Sequence, residues 1–483
     1  MAVAHGLHRG LPATRKRRIP HDMTTRIEKD SLGEFLVPAD AWYGIQTARA
    51  VANFPISGRG PDRDFIVAHA RIKIAAARVN ARAGWLEASL AREIERAAAA
   101  IVKGEHHGEF VVDRFQAGAG TSHNMNTNEV IANLANAALG GTRGVYHPVH
   151  PNDHVNMGQS TNDTIPTAIR LAALAKLARL VAPTHDMARA FDTLALRERD
   201  TVKSGRTHLQ DAVPTTLGRE LAAYAWTLKR CARRIQDTAV DLGDLGLGGS
   251  AVGTGLNTAP HYPKQVAQEL AALTGESVRA ARDLAAQMQS MADLMQLSAA
   301  VRGLALELTR IANDLRLMAS GPRTGLAEIV LPAVQPGSSI MPGKVNPVML
   351  EMLNQVCYQV IGQDAAVAAM TQAGQLELNV MMPALGSALF DMMDWLTQAI
   401  RAVTDKALVG IVAARERCLD YAHTSVGLAT LLNRAIGYSA AARVAQESEA
   451  SGRPIAELVA THGLMDAEAF AKLVADAAGN GEG

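Results

Sequence analysis

The sequence predicts an all-α protein built around a bundle of unusually long helices. Its 483 residues suggest about three lobes at roughly 150 residues per domain. Only 4% of the residues are aromatic, and the apolar content comes mainly from Ala, Leu, Val and 18 Met, which favours helices over sheets. Four segments carry apolar residues at helical spacing over lengths typical of a bundle, namely 166–201, 217–242, 281–320 and 347–372.

The chain before these segments has two parts. The first 22 residues carry five basic side chains against one acidic side chain and lack the apolar stretch of a signal peptide. We expect a disordered basic tail there, with a targeting or polyanion-binding arm as the alternative. Residues 64–101 are rich in alanine, with apolar residues at helical spacing, and are predicted to be helical.

Charge and cysteine content exclude several classes of protein. Lys plus Arg number 48 and Asp plus Glu number 47, so the net charge of +1 provides no field that would attract nucleic acid or an anionic membrane. The three cysteines are odd in number and far apart, which argues against a disulfide framework or a zinc site and favours a cytoplasmic location. No run approaches 18 uninterrupted apolar residues, so no membrane span is predicted.

Compact polar segments lie between the helical stretches. PGSSIMPGKVNP (336–347) leads into a helix, and its backbone N–H groups together with Lys344 could bind a carboxylate. An ordinary surface turn is the alternative. GAGTSHNMN (118–126), GQSTND (158–163) and GRTH (205–208) could orient a polar ligand, although Thr121 and Ser160 could instead cap helices and a lone His208 is more often structural.

Two further patterns are not expected to bind ligands. His147, His150 and His154 have helical spacing, but Pro148 and Pro151 argue against a helix, so no metal site is predicted. The glycine stretch GLGGSAVGTG (246–255) lacks the Lys-Ser/Thr pair of a phosphate loop, and close chain packing is the preferred interpretation.

Together these segments resemble the fumarase/aspartase superfamily, from about residue 26 to about residue 474. GSSIMPGKVNP is similar to the signature loop of that superfamily. Five stretches are more similar to its aspartate ammonia-lyase branch than to class II fumarases: VPADAWYGIQT (37–47), GAGTSHNMN, QSTND, GPRTGL (321–326) and QLELNV (375–380). The resemblance implies a carbon–nitrogen lyase that converts L-aspartate reversibly to fumarate and ammonia without a cofactor or metal.

The resemblance also implies an architecture. We expect a three-lobed subunit whose central helices form the core of a homotetramer, with each active site shared between three subunits. The expected divisions are the tail (1–22), an N-terminal domain (23–159), a central helical bundle (160–416) and a small C-terminal helical domain (417–483). The expected partners are the dicarboxylate substrate and further copies of the chain.

Residue roles are carried over by the same resemblance. Ser338 is the expected general base, and its deprotonation requires oriented N–H groups and positive charge nearby. The expected donors to the doubly negative aci-carboxylate intermediate are Thr121, Ser160, Thr161 and Ser339. Lys344, Asn346 and Thr207 are expected to bind the other carboxylate. His208 and Asn162 are expected to surround the leaving group, with Glu351 orienting His208.

Three positions differ from the residues usual in the motifs of this superfamily: His123, His154 and Gly158. They keep a lyase for a substituted aspartate open as an alternative, beside a class II fumarase. A non-enzymatic helical scaffold is a further alternative. The intact polar set around Ser338 argues against the scaffold, which has no physical need for these residues.

Overall fold

The computed structural model describes residues 24–479, and helices form most of this chain. The helices are α1 Ile45–Asn53, α2 Arg63–Arg82, α3 Ala88–Val102, α4 Thr121–Ala138, α5 Thr161–Arg197, α6 Leu217–Asp237, α7 Ala239–Leu242, α8 Tyr262–Thr274, α9 Leu284–Gln289, α10 Ala292–Met318, α11 Val348–Thr371, α12 Met382–Val403, α13 Arg415–Thr424, α14 Ala429–Ile436, α15 Tyr438–Ser451, α16 Ile455–Thr461 and α17 Ala467–Gly479. The predicted all-α class is confirmed. The predicted basic tail, residues 1–22, lies outside the described residues.

Short strands accompany the helices. The described residues form two-stranded sheets from β1 Thr25–Asp30 with β2 Gly33–Pro38, β3 Val202–Thr207 with β4 Gln210–Thr216, β5 Asp244–Leu245 with β6 Arg279–Ala280, and β7 Ile329–Val330 with β8 Val412–Ala413. The β1–β2 and β3–β4 hairpins were not expected from the sequence. Neither has the Asn-Gly or Asp-Gly pair that normally signals a tight hairpin turn.

The four predicted long helices are present as α5, α6, α10 and α11, with two differences at their amino-terminal ends. Helix α5 begins at Thr161, ahead of the predicted start at Pro166, because Ser160 and Asp163 cap it. The segment 281–320 is not one helix: it is divided into α9 and α10. At the break, Ser290 Oγ accepts the N–H of Ala292 at 3.2 Å, and the Ser290 carbonyl accepts Arg170 at 3.3 Å.

The described chain divides into two compact units. The first comprises residues 24–169, 245–289 and 374–384, and the second comprises residues 170–244, 290–373 and 385–479. In the first unit, α2, α3 and α4 pack together around a buried cluster that includes Ile66, Ile94 and Ile131. The domain boundaries expected from the sequence, at 159/160 and 416/417, stay a prediction.

Helix α4 is anchored in the first unit by a buried carboxylate. Glu129 is 1% exposed, and its two oxygens accept the N–H groups of Gly44, Gln46 and Thr47 at 2.9–3.1 Å. The Thr47 hydroxyl donates a fourth hydrogen bond at 2.6 Å. The YGIQT part of the segment 37–47 is therefore the start of α1 folded around a carboxylate of α4.

In the second unit, α10 packs against α6 and α11, and all three are long helices. A separate apolar cluster forms near the carboxyl end of the chain, where Leu432, Val444 and Leu458 pack between α14, α15 and α16. Across residues 24–479, every helix is too short or too polar to cross a lipid bilayer.

Candidate active site

The amino-terminal end of α5 carries three residues expected at the site: Ser160, Thr161 and Asn162. The Ser160 hydroxyl accepts the N–H of Asn162 at 3.2 Å, and Asp163 Oδ1 accepts the N–H of Ser160 at 2.9 Å. The capping role that the sequence left open for Ser160 is therefore present. All three side chains are half-buried, at a helix end whose dipole favours negative charge.

The glycine stretch 246–255 contacts the same amino-terminal end of α5. The buried Asp163 carboxylate accepts the N–H groups of Gly248 and Ser250 at 3.0 and 2.9 Å. Gly248 has φ +93°, and a Cβ there would lie 2.7 Å from the ring of Pro263. Close packing is thus the better interpretation of this stretch, because two of its N–H groups bind the chain's own carboxylate.

A buried lysine lies behind Thr161. Lys73, on α2, is fully buried, and its ammonium donates to Asn124 Oδ1 at 2.9 Å, Gln159 Oε1 at 3.0 Å and Asn156 Oδ1 at 3.1 Å. Asn124 Nδ2 in turn donates to Thr161 Oγ1 at 3.2 Å. Because the Thr161 oxygen accepts this hydrogen bond, the Thr161 hydroxyl proton remains for another acceptor.

Burial shifts the ionisation of this region. It lowers the pKa of Lys73 to about 7, and the Asp163 charge partly offsets the decrease. Burial raises the pKa of Asp163 to about 6, against the hydrogen bonds from Ser160, Ser250 and Gly248. Burial and the Lys73 charge lower the pKa of His123 to about 3, and the same two causes lower that of His69, so both imidazoles are neutral.

Lys73→Met is expected to flatten the pH dependence of stability. In the folded protein the pKa of Lys73 is about 7, whereas in the unfolded chain it is about 10.4. Between these values the unfolded state binds more protons, so wild-type stability should rise with pH by up to about 1.4 kcal/mol per pH unit. Scanning fluorimetry of both proteins from about pH 7.5 to 9.5 measures the difference in Tm. If Tm changes with pH in the same way in both proteins, the lowered pKa of Lys73 in the folded protein is contradicted.

Thr121 opens α4 and is the exposed end of an otherwise buried stretch. The residues that follow it, as far as Asn133, are all buried. The turn before Thr121 is held by the segment 375–380, because the Ala119 N–H donates to the Val380 carbonyl at 3.0 Å. QLELNV therefore supports the helix end that presents Thr121.

Thr207 and His208 lie at the tip of the β3–β4 hairpin. The two turn residues, His208 and Leu209, both have positive φ, at 57° and 59°, a conformation normally supplied by Asn or Gly. Thr207, His208 and Leu209 are exposed. The hairpin therefore projects an imidazole into solvent from a strained turn, which is typical of functional rather than structural positions.

The segment 336–347 is a folded loop that closes on itself. The Gly337 N–H donates to the Lys344 carbonyl at 2.8 Å, and Asn346 Nδ2 donates to the Gly337 carbonyl at 2.5 Å. A Cβ on Gly337 would lie 2.4 Å from the Lys344 carbonyl oxygen, so glycine is required there. This closure places Ser338, Ser339 and Lys344 on one short loop.

Ser338 has a polar environment of backbone groups. Its half-buried Oγ accepts the N–H groups of Met341 at 3.0 Å and Ile340 at 3.2 Å. Two donors directed at one hydroxyl oxygen stabilise negative charge on that oxygen. Ser339 is exposed beside it.

The three acidic and basic residues expected at the site have no side-chain partner in the described part of a single chain. Within residues 24–479, the side chains of His208, Lys344 and Glu351 have no hydrogen bond and no ion pair. Glu351 lies in the first turn of α11 and makes no hydrogen bond to His208 in the single chain. These groups are available to a ligand or to another copy of the chain.

The three departures have structural explanations. His123 is fully buried and stacks on Phe65, with ring centroids 4.4 Å apart, so it belongs to the core. Gly158 has φ +69°, a conformation that serine adopts rarely. His154 Nδ1 accepts the N–H of His150 at 2.8 Å and closes a single turn at Pro151–Val155.

The expected residues belong to both compact units. Thr121, Ser160, Thr161 and Asn162 lie in the first unit, and the other candidates lie in the second: Thr207, His208, Ser338, Ser339, Lys344, Asn346 and Glu351. The sequence did not single out Lys73, Asn124 or Asp163, although Asn124 and Asp163 fall inside the two polar motifs. For Asn124 and Asp163, the position inside these motifs was a signal that could have identified them, whereas Lys73 lies outside both motifs.

The chain is similar to known proteins over most of its length. A family model described as lyase matches residues 33–362, and one described as fumarase C C-terminus matches residues 428–476. The aspartate ammonia-lyase of a Bacillus species is 45% identical over 443 residues, which are 92% of this chain and 95% of the relative.

Two further matches have similar extent. The class II fumarate hydratase of Xylella fastidiosa is 44% identical over 454 residues, 94% of this chain and 95% of the relative. A crystal structure of a fumarate lyase:delta crystallin from Brucella melitensis has a TM-score of 0.91 and 44% identity, and it covers 93% of this chain and 98% of its own.

Proposed function

The chain belongs to this lyase family, within the fumarase/aspartase superfamily, and from that premise we propose that it catalyses the reversible deamination of L-aspartate to fumarate and ammonia. The superfamily and the carbon–nitrogen lyase class predicted from the sequence are confirmed. The observation that carries the proposal is the environment of Ser338, whose Oγ accepts two backbone N–H groups on the loop of the unpaired Lys344. The 45% identity to an aspartate ammonia-lyase supports L-aspartate as the substrate.

Ser338 is the base in this proposal. It removes a proton from the carbon beside one substrate carboxylate, and the N–H groups of Ile340 and Met341 stabilise its alkoxide form. Proton loss makes that carboxylate doubly negative. Thr121, Ser160, Thr161 and Ser339 would donate hydrogen bonds that strengthen as this charge develops.

The second substrate carboxylate is bound by Lys344, Asn346 and Thr207 in the same proposal. Lys344 supplies an exposed and unpaired positive charge. Asn346 uses one amide N–H on Gly337 and retains the other for a ligand. The Thr207 hydroxyl is exposed at the hairpin tip.

The amino group that leaves is assigned to His208 and Asn162, with Glu351 orienting the imidazole. An ammonium group leaves as neutral ammonia once its bond to carbon breaks, so it needs less acid assistance than hydroxide. The absence of a hydrogen bond between His208 and Glu351 in the described part of one chain supports a site completed by other copies. We propose a homotetramer in which three subunits build each site.

A second candidate function is hydration of fumarate to malate. The 44% identity to the Xylella fastidiosa class II fumarate hydratase favours it, and the same base and carboxylate-binding residues would serve. A substituted aspartate is a further candidate substrate.

We also propose a cytoplasmic location, because Cys231, Cys357 and Cys418 are all free and buried, as a reducing compartment allows.

The purified protein is expected to form fumarate from L-aspartate much faster than from L-malate. Fumarate absorbs in the ultraviolet, so both reactions can be followed continuously in the same assay. An N-methylated aspartate should be tested in parallel to detect the substituted-amine alternative. Malate turnover equal to or above aspartate turnover would reject the proposed substrate in favour of the hydratase.

A further inference from the structure

The segment GPRTGL (321–326) contains none of the proposed site residues, yet it leads directly to a buried carboxylate. Glu328 is 0% exposed, and both of its oxygens contact cations of strand β3. Arg206 Nη1 lies 2.8 Å from Glu328 Oε1, and Lys203 Nζ lies 3.1 Å from Oε2. Glu328 therefore contacts the strand that ends in Thr207 and precedes His208.

The cluster around Glu328 is electrically balanced. Lys203, whose side chain is 3% exposed, also binds Glu220 of α6 at 2.8 Å, so two carboxylates face two cations. The guanidinium of Arg206 additionally lies 5.2 Å from the ring centroid of Tyr421 in α13. Glu220 is hydrogen-bonded to Lys203, whereas Glu328 contacts both cations. Among the described residues, Glu328 is therefore the carboxylate in direct contact with Arg206.

Glu328 is itself fixed by its backbone. Its N–H donates to the Met318 carbonyl at 2.9 Å, and its carbonyl accepts the Ala414 N–H at 2.9 Å and the Cys418 thiol at 3.5 Å. The next residue begins β7, which pairs with β8. The carboxylate therefore has a defined position from which to hold Arg206.

The hairpin tip needs such support. His208 and Leu209 hold positive φ values with exposed side chains, so packing of their own side chains does not maintain the turn. Beyond the tip, Asp211 accepts the Val426 N–H at 3.2 Å on the β4 side. On the β3 side, the charged pair is Arg206–Glu328, two positions before His208.

We propose that Glu328 is a positioning residue that fixes the His208 turn through Arg206. The proposal rests on the role assigned to His208 under the proposed function. Under this proposal, Glu328 affects the reaction rate without contacting the substrate, because it controls the position of His208. A misplacement of about 1 Å in a reacting group costs about a hundredfold in rate.

Glu328→Gln and Glu220→Gln form a matched pair for the test. Each removes one carboxylate from Lys203 and leaves the cluster with one excess positive charge, but only Glu328→Gln removes the charged partner of Arg206. Glu328→Gln should lower kcat about ten- to a hundredfold, with a smaller change in KM, whereas Glu220→Gln should stay within about threefold of wild type. Equal losses in the two variants would overturn the proposal.

Two further arms separate positioning from a general loss of stability. In a His208→Ala background, Glu328→Gln should cause no further fall in kcat, because the group it positions is already absent. The double variant Arg206→Met/Glu328→Gln restores the charge balance, so Tm should recover while kcat stays low. Recovery of kcat together with Tm, or an additive loss in the His208→Ala background, would show a merely structural role.

Hydrogen exchange measured by mass spectrometry tests whether Glu328 stabilises the hairpin, independently of catalytic activity. Deuterium uptake in peptides covering residues 202–216 should rise in Glu328→Gln and stay at the wild-type level in Glu220→Gln. Unchanged uptake in both variants would reject the proposal. If the wild type forms no fumarate from aspartate or malate, the proposed function fails, while this exchange experiment still decides the role of Glu328. If Glu328→Gln does not fold, the charge-balanced double variant replaces it in the exchange comparison.

Discussion

Ser338→Ala is expected to lower fumarate formation by about a hundredfold or more, because general-base loss typically costs at least that much. The change removes the hydroxyl oxygen that accepts the N–H groups of Ile340 and Met341. It leaves the loop closure between Gly337 and Lys344 intact, since that closure uses backbone atoms. Measured kcat for L-aspartate is the readout.

Two comparisons make the Ser338 result specific. Ser339→Ala removes the neighbouring exposed hydroxyl but keeps the base and both N–H donors, so it should cost less than Ser338→Ala. Circular dichroism and native mass spectrometry should show an unchanged fold and assembly. A Ser338→Ala protein that keeps more than about a tenth of wild-type kcat would reject Ser338 as the base.

Mixing two inactive variants is expected to restore activity. If Ser338 and His208 reach one substrate from different subunits, Ser338→Ala and His208→Ala chains that are unfolded and refolded together create some sites with both residues intact. With random equal mixing, each site receives an intact Ser338 with probability one half and an intact His208 independently with one half. Recovery should therefore approach about one quarter of wild-type kcat.

The mixing experiment has two controls. Each variant refolded alone must stay inactive, and native mass spectrometry must detect hybrid assemblies in the mixture. If hybrids form and the activity remains at the level of the single variants, both residues act from the same chain and the shared-site proposal is wrong.

The sequence predicted the long helices and the polar segments because both depend on local patterns. Helical spacing of apolar residues located α5, α6, α10 and α11, and clusters of Gly, Ser and Pro located the loop of Ser338. The His208 hairpin was not predicted, since its turn residues adopt positive φ without the glycine or asparagine that would signal it. The Arg206–Glu328 pair near this turn joins residues 122 positions apart, which a local pattern does not record.

The buried charged residues also could not be predicted from the sequence. Lys73 lies in an alanine-rich helical stretch, where a lysine is usually solvated, and only the folded chain shows three amide oxygens around its ammonium. Glu328 is comparable, because its partners Lys203 and Arg206 lie more than a hundred positions earlier. Ion pairs of this kind link distant parts of the chain, so spacing alone gives no signal for them.

The hydrogen bonds between Glu129 and the start of α1 limit where the chain can be shortened or tagged. One end of α4 presents Thr121, and two turns later the same helix is tethered to residues 44–47 through four hydrogen bonds. Trimming the chain past Thr47, or a protease cut that releases this stretch, would strip all four donors from a buried carboxylate. Shortened versions for crystallography or immobilisation should therefore begin ahead of β1, and affinity tags belong before Thr25 rather than between β1 and Thr47.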